Sequence, residues 1–177
     1  MKILLHNCCG PCTIYPLGVL RAEGHEVTGY FYGSNIHPFT EMQKREEALE
    51  TFAQLENFRV IYQKEYDLEG FLRMVAFREA DRCRFCYHLR LSAAAAIARH
   101  GKFDAFSTTL LYSRFQKHEL IAETGEAVAK EYGVPFHYAD FRIGWKEGIA
   151  ESKRLGLYRQ QYCGCIYSEK ERFWKQA

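Results

Sequence analysis

The sequence predicts an α/β protein, a Rossmann-like three-layer sandwich of about five parallel strands with a helical C-terminal tail. Two observations lead there. Short runs rich in β-branched and aromatic residues alternate with longer amphipathic stretches, the spacing of right-handed βαβ crossovers. Polar clusters at 7–12, 33–38, 107–109 and 139–142 each follow such a run, so in this fold they share the carboxyl edge of one sheet, where ligands bind. Residues 1–177 read as one domain. Its core lies in 1–140, and the last helices and the Cys-Gly-Cys loop, 141–177, pack on it.

Each element has a local reason. Lys2 to His6 is a short apolar strand, and Thr13-Ile-Tyr-Pro-Leu opens a helix over 13–24. Glu26–Tyr32 is β-branched and aromatic and reads as the second strand. Thr40 is an N-cap for a helix over 41–56, with Ala48, Phe52 and Leu55 on its apolar face. Phe58–Tyr62 is the third strand. Asp67 caps a helix carrying Leu68, Phe71, Leu72 and Val75 on one side. Arg82–His100 is helical, Phe103–Ser107 is the fourth strand, and 116–132 is a helix closed by Gly133. Val134–Tyr138 is the fifth strand, followed by a helix over 145–156 and a short final helix from Ser168.

Composition excludes several classes. Hydrophobic residues make up 47% of the chain, too many for a disordered protein. No apolar run approaches the roughly 20 residues that span a bilayer, and Met1-Lys2 leads straight into a strand without a signal-peptide pattern. The expectation is a cytoplasmic protein with no membrane partner. The net charge of +2 is uneven: residues 78–102 carry +4 and residues 142–160 carry +3. Both basic stretches flank cysteine pairs. A docking polyanion would explain that, as would ordinary solvated helix faces.

Seven cysteines carry the chemistry: Cys8, Cys9, Cys12, Cys83, Cys86, Cys163 and Cys165. A reducing compartment and an odd count argue against disulfide staples. Cys8, Cys9 and Cys12 lie in a strand-to-helix turn, where the positive helix end lowers a thiol pKa. Cys83 and Cys86 are three apart on one helix face, a common zinc half-site. Spacing alone favours a four-thiolate [4Fe–4S] cluster over zinc. A Cys163–Cys165 disulfide would close a small strained ring and so store two electrons reversibly, although the pair can equally be two metal thiolates. Cys12 has no evident partner. It can join Cys163 and Cys165 at a second metal, an additional iron ion, or simply line the pocket. Glycine-rich phosphate loops are absent. Tyr158 and Tyr162 beside Arg159 have the composition of a base-stacking site, and also of ordinary packing.

Several motifs together resemble one family. They are Cys8-Cys-Gly-Pro-Cys12, Asn35-Ile-His-Pro38, Cys83-Arg-Phe-Cys-Tyr87, Arg90-Leu91, Ser107-Thr-Thr-Leu-Leu111 with Gln116-Lys-His-Glu119, Asp140-Phe-Arg-Ile-Gly-Trp145, and Tyr158-Arg-Gln-Gln-Tyr-Cys-Gly-Cys165 with Ser168. The chain resembles the epoxyqueuosine reductases of the QueH type over essentially its whole length. Gly33-Ser34, Met42 and Arg114 depart from that pattern. The resemblance implies reductive deoxygenation of epoxyqueuosine at the anticodon wobble position of tRNA, the last step of queuosine biosynthesis, without cobalamin. It implies that Cys8, Cys9, Cys83 and Cys86 hold a [4Fe–4S] cluster and that Cys163 and Cys165 are redox-active. The implied fold is a nucleotide-hydrolase-like (HUP) relative shared with tRNA-thiolating enzymes. Deoxygenation needs protons, for which Asp140, His37 and Tyr162 are candidates. Asn35, Ser107, Thr108, Thr109, Arg142, Tyr158 and Arg159 are candidate substrate contacts. The basic stretches would hold the anticodon arm, and an external electron donor of unspecified identity would complete the cycle. The rival readings are a tRNA sulfurtransferase-like enzyme of the same fold, which would need an ATP loop, and a non-enzymatic metal-binding module.

Overall fold

A computed structural model describes residues 1–63 and 65–174. Four parallel strands, β1 (Lys2–Asn7), β2 (Glu26–Phe31), β3 (Val60–Tyr62) and β4 (Ala105–Thr108), form one sheet in the order β3-β2-β1-β4. The helices are α1 (Gly10–Ala22), α2 (Phe39–Leu55), α3 (Leu68–Val75), α4 (Arg82–His100), α5 (His118–Tyr132), α6 (Trp145–Arg154) and α7 (Ile166–Phe173). The crossovers through α1 and α2 move the chain one way along the sheet, whereas the crossover through α4 returns it past β1. Right-handed connections therefore place α1 and α2 on one face and α4 on the other. Accordingly α1 packs with α2 and α6, and α4 packs with α5, β1 and β4. The strand order reverses between β1 and β4, so their carboxyl ends open onto the crevice where such sheets bind ligands.

The fifth strand is reduced to a single parallel bridge, Phe106 to Phe136. Phe106 N–H donates to the Pro135 carbonyl and His137 N–H to the Phe106 carbonyl. The next rung toward the amino end would need an N–H on residue 135, and proline has none.

Other differences are local. Helix α1 begins at Gly10, inside the cysteine turn, with Cys9 as its N-cap. Pro11 fits there because the first helical N–H groups have no intrahelical acceptor. Pro38, not Thr40, occupies the N-cap of α2, and Thr40 lies exposed in the first turn. β3 begins at Val60 and β4 at Ala105, because the chain turns at Asn57 and Lys102, both at positive φ. Asp67 caps α3 as expected, its carboxylate accepting from Gly70 N–H at 2.9 Å. Gly133 ends α5 at φ 67°. The last helix starts two residues earlier than Ser168.

Where α1 enters from the sheet it passes α2 closely: a Cβ on Gly10 would lie 2.5 Å from the Ala48 carbonyl oxygen. That carbonyl belongs to a helix backbone and cannot yield cheaply. Gly10→Ala is expected to destabilise the fold by about 1–3 kcal/mol in urea titrations. The same change at Gly18, where a Cβ meets nothing within 4 Å, should not destabilise it.

Candidate metal and redox site

Three thiols crowd the turn after β1. Cys8, Cys9 and Cys12 are buried, and their sulfurs lie within 4.8 Å of one another, a group able to bind a metal. The turn is held by side chains on every side. Asn7 bridges to Thr13 Oγ1 through Nδ2 and accepts from Tyr30 N–H, while Thr13 donates to the Cys9 carbonyl. Thr109 accepts from Cys8 N–H at 3.2 Å and offers its hydroxyl to Cys8 Sγ at 3.5 Å. Cys12 N–H points at Cys9 Sγ, and Gln160 Nε2 at Cys12 Sγ. The neighbouring Cys12 and Cys9 thiols, helped by Thr109, hold Cys8 well below the usual thiol pKa despite burial. Burial raises Cys9 in spite of its helix-capping position, and the interaction with Cys8 raises Cys12. The charge of the triad therefore sits on Cys8.

The remaining four cysteines meet elsewhere. Cys83 and Cys86, in the first turn of α4, line one small pocket with Cys163, Cys165, Arg82 and Arg90. Asn35 Nδ2 donates to Cys86 Sγ at 3.0 Å. All seven cysteines are free thiols, so the disulfide expected between Cys163 and Cys165 is not formed. The Cys163 thiol beside it, with Ser168 and Arg82, brings Cys165 down to about 5, and the same interaction raises Cys163. The tail pair is thus a thiol and a thiolate. Cys12 groups with Cys8 and Cys9, and among the described residues its sulfur does not close on Cys163 and Cys165 as a second-metal set.

Two buried arginines organise these groups. Arg45, 1% exposed, donates Nε to Glu41 at 2.7 Å, Nη1 to the Cys163 carbonyl and Nη2 to the Tyr162 carbonyl. Tyr158 donates to the other Glu41 oxygen. Together they pin the Cys163–Cys165 loop to α2. Gly164 N-terminal to Cys165 adopts φ 139° against Arg45, and its carbonyl accepts from His37 N–H. Arg90, 2% exposed, has Nε and Nη1 without hydrogen-bond partners, and its charge acts on both Cys8 and Cys86. It lines the pocket of Cys83, Cys86, Cys163 and Cys165, and its charge also reaches Cys8. The sequence does not single out Arg45, and it shows Arg90 only within a basic stretch and the Arg90-Leu91 motif. The available signal was spacing: positions 41, 45, 48 and 52 share one face, as do 87, 90, 91 and 94.

The expected proton donors are committed to other bonds. His37 Nδ1 accepts from Ile166 N–H and its Nε2 faces the Ser34 carbonyl, which requires a neutral ring protonated at Nε2. Burial keeps it neutral, lowering its pKa to about 4. Tyr162 donates its hydroxyl to the His37 carbonyl. Asp140 holds Arg142 through both oxygens, and that pairing lowers it to about 2, so it is ionised at neutral pH. Several expected substrate contacts are also engaged within the fold. Asn35 holds Cys86, Thr109 holds Cys8, and Thr108 Oγ1 bonds His6 Nδ1 at 2.8 Å. Ser107 Oγ is buried without a partner. Tyr158 is half-buried on Glu41, Arg142 is paired, and Arg159 is exposed. The basic stretch 78–102 is not one surface: Arg90 is buried, Arg82 pairs with Glu171, and Arg99 and Lys102 lie at the far end of α4.

A parallel α/β sheet whose switch-point crevice is lined by buried thiols and buried guanidinium groups defines a cysteine-based metal or redox protein. Comparison with known proteins specifies it further. The family model described as "Epoxyqueuosine reductase QueH" matches residues 3–171, and the chain belongs to that family. A relative named epoxyqueuosine reductase QueH from Dehalococcoides mccartyi is 42% identical over 98% of this chain and 96% of its own length. One of the same name from Thermotoga maritima is 35% identical over 99% and 94%. A solved structure from Methanocaldococcus jannaschii, described as a predicted subunit of tRNA methyltransferase, covers 99% of this chain and 94% of its own at TM-score 0.58 and 11% identity, a likeness of fold. Among the described residues no helix is long and apolar enough to cross a membrane.

Two outcomes test this geometry. Arg45→Met leaves Glu41 buried without its cation and should cost about 3–5 kcal/mol in urea unfolding, with faster alkylation of Cys163. Adding Glu41→Gln should recover part of that loss. Asp140→Asn removes a carboxylate whose pKa is depressed, so the stability it supplies is full above the unfolded carboxylate pKa near 4 and is lost as pH falls toward 2. The gap between wild type and variant in unfolding free energy should close over that window.

Proposed function

We propose that this chain carries out the reaction for which its family is named, the two-electron deoxygenation of epoxyqueuosine in the tRNA anticodon to queuosine. The observation that carries the proposal is the pair of cysteine groups, Cys8 with Cys9 and Cys12 and a pocket lined by the other four, in a chain that matches the family from residue 3 to 171. Converting an epoxide to an alkene consumes two electrons and two protons and releases the oxygen as water. Cys163 as thiol and Cys165 as thiolate release two electrons and one proton when they join as a disulfide, and solvent supplies the second proton. No further acid is needed, in keeping with the engaged states of His37, Tyr162 and Asp140. An external reductant returns the pair to its dithiol state.

The residues fit a four-thiolate cofactor. Cys8, Cys9, Cys83 and Cys86 are the proposed ligands of a [4Fe–4S] cluster, leaving Cys12 as the triad's spare sulfur. Arg90 Nε and Nη1, Asn35 Oδ1 and His6 Nε2 are buried without partners, on residues that bond or border Cys86 and Cys8. A cation and a side-chain amide there suit thiolate or sulfide acceptors. When bound, such a cluster supplies one-electron transfer. Arg90 offsets thiolate charge, Asn35 and Thr109 orient Cys86 and Cys8, and Arg45 holds the redox loop over the crevice. No cobalamin is required by this reading. Residues 1–177 act as one unit, because Arg45 and Glu41 in the core bind the tail through residues 158–163.

The tRNA would lie across the carboxyl edge of the sheet. Phe115 is 83% exposed, its ring edge-on to Trp145 with centroids 5.6 Å apart, and Phe77 is 99% exposed. Exposed rings suit the unstacked bases of an anticodon loop, and the exposed Arg84, Lys146 and Arg159 suit its phosphates.

Anaerobic protein should be brown, with broad absorbance near 400 nm. Incubation with epoxyqueuosine-containing tRNA and a reductant should convert that nucleoside to queuosine by mass spectrometry. Unchanged epoxyqueuosine with cluster-loaded protein would overturn the function. A Cys163→Ser variant that retains multiple turnovers would overturn the redox role alone. Binding of tRNA should weaken about tenfold or more between roughly 50 and 200 mM salt.

A further inference from the structure

Away from the cysteines, at the turn joining α1 to β2, three potential metal ligands converge. Glu23 ends α1, His25 immediately precedes β2, and His137 follows the single rung beside β4. His25 Nε2 lies 3.4 Å and His137 Nε2 3.9 Å from the same oxygen, Glu23 Oε2. The three ligand atoms all lie within 4.8 Å of one another. The two rings meet edge to face with centroids 5.4 Å apart.

An ion pair alone does not account for this arrangement. His137 Nε2 is out of contact with solvent and has no hydrogen-bond partner among the described residues. A buried polar nitrogen without a partner is costly, and a cation bound there would remove that cost. Two imidazole nitrogens and one carboxylate are the donor set of zinc and related divalent ions. At metal–ligand distances of about 2.0–2.1 Å, tetrahedral ligands sit about 3.3–3.4 Å from one another. The observed 3.4 and 3.9 Å spacings need only small rotamer adjustments to close on an ion. Glu23 is about half exposed, which leaves a fourth position open to water.

We propose that Glu23, His25 and His137 form a structural site for a divalent zinc-like ion, separate from the cysteine centre. The ion ties the end of α1 and the start of β2 to the segment after β4. That segment carries only one rung of sheet pairing, because Pro135 cannot donate another. The clip supplies at this edge the cross-link that the backbone lacks.

The test uses the full chain with its cysteine centre reconstituted anaerobically, since thiols also bind zinc and only a difference between variants reports on this site. Wild type, Glu23→Gln and His25→Asn/His137→Asn are dialysed against micromolar zinc and counted by elemental analysis, then melted with and without zinc. Wild type should hold one more zinc than the double variant. At zinc a hundredfold above its dissociation constant, the melting temperature of wild type should rise by roughly 5–10 °C. Glu23→Gln, an exposed position that should not disturb folding, should weaken uptake at least tenfold. Epoxyqueuosine reduction should be unchanged in Glu23→Gln, so this outcome stands apart from that of the proposed activity. Equal zinc content in wild type and Glu23→Gln would overturn the proposal. So would a zinc-dependent melting shift of the same size in all three proteins, or a difference that appears only at millimolar zinc.

Discussion

The Arg45 guanidinium, buried on the inner face of α2, is the contact through which the two halves of the chain become one site. A charge in that position is tolerable only when it is well hydrogen-bonded, and each of its three nitrogens donates: to Glu41 and to the carbonyls of Cys163 and Tyr162. Those carbonyls belong to the loop that carries Cys163 and Cys165. Satisfying Arg45 therefore places a tail segment more than a hundred residues away in sequence over the crevice beside Cys83 and Cys86. Glu41 in turn fixes Tyr158. The His37 backbone and ring add three further bonds to the same glycine-centred loop.

Arg90 plays the complementary part from the opposite helix layer. Its charge reaches both cysteine groups, and two of its nitrogens have no protein acceptor. Buried cations left in this state are expensive unless something anionic completes them. The thiols respond unequally: Cys8 and Cys165 are pushed toward thiolate, while Cys9, Cys12 and Cys163 remain thiols. In the tail pair, a thiol at Cys163 beside a thiolate at Cys165 is why the proposed reaction requires no separate acid.

Much of the architecture was legible in the sequence, because hydrophobic periodicity and capping are local properties. The strand before the cysteine turn, the Asp67 cap, the Gly133 stop and the gathering of polar loops at one sheet edge all followed from neighbouring residues. The fifth strand did not, because its failure rests on a rung that Pro135 would have had to donate to another strand. The N-cap of α2 was misplaced because Thr40 has the right side chain but is already the second residue of the helix.

The sequence by itself determined the fold class, the family and the set of sulfur ligands available, since these depend on residue type and spacing along the chain. Only the tertiary structure decided which thiols are neighbours, which carry charge and which polar groups are already spent. His37, Tyr162 and Asp140 read as acids in isolation and are acceptors, structural donors or salt-bridged carboxylates once folded. Arg90, which belongs to a basic stretch of the sequence, is buried, as is Arg45. The physical reason is the same in each case: a pKa or a hydrogen bond is set by burial and by partners that the fold brings from distant parts of the chain.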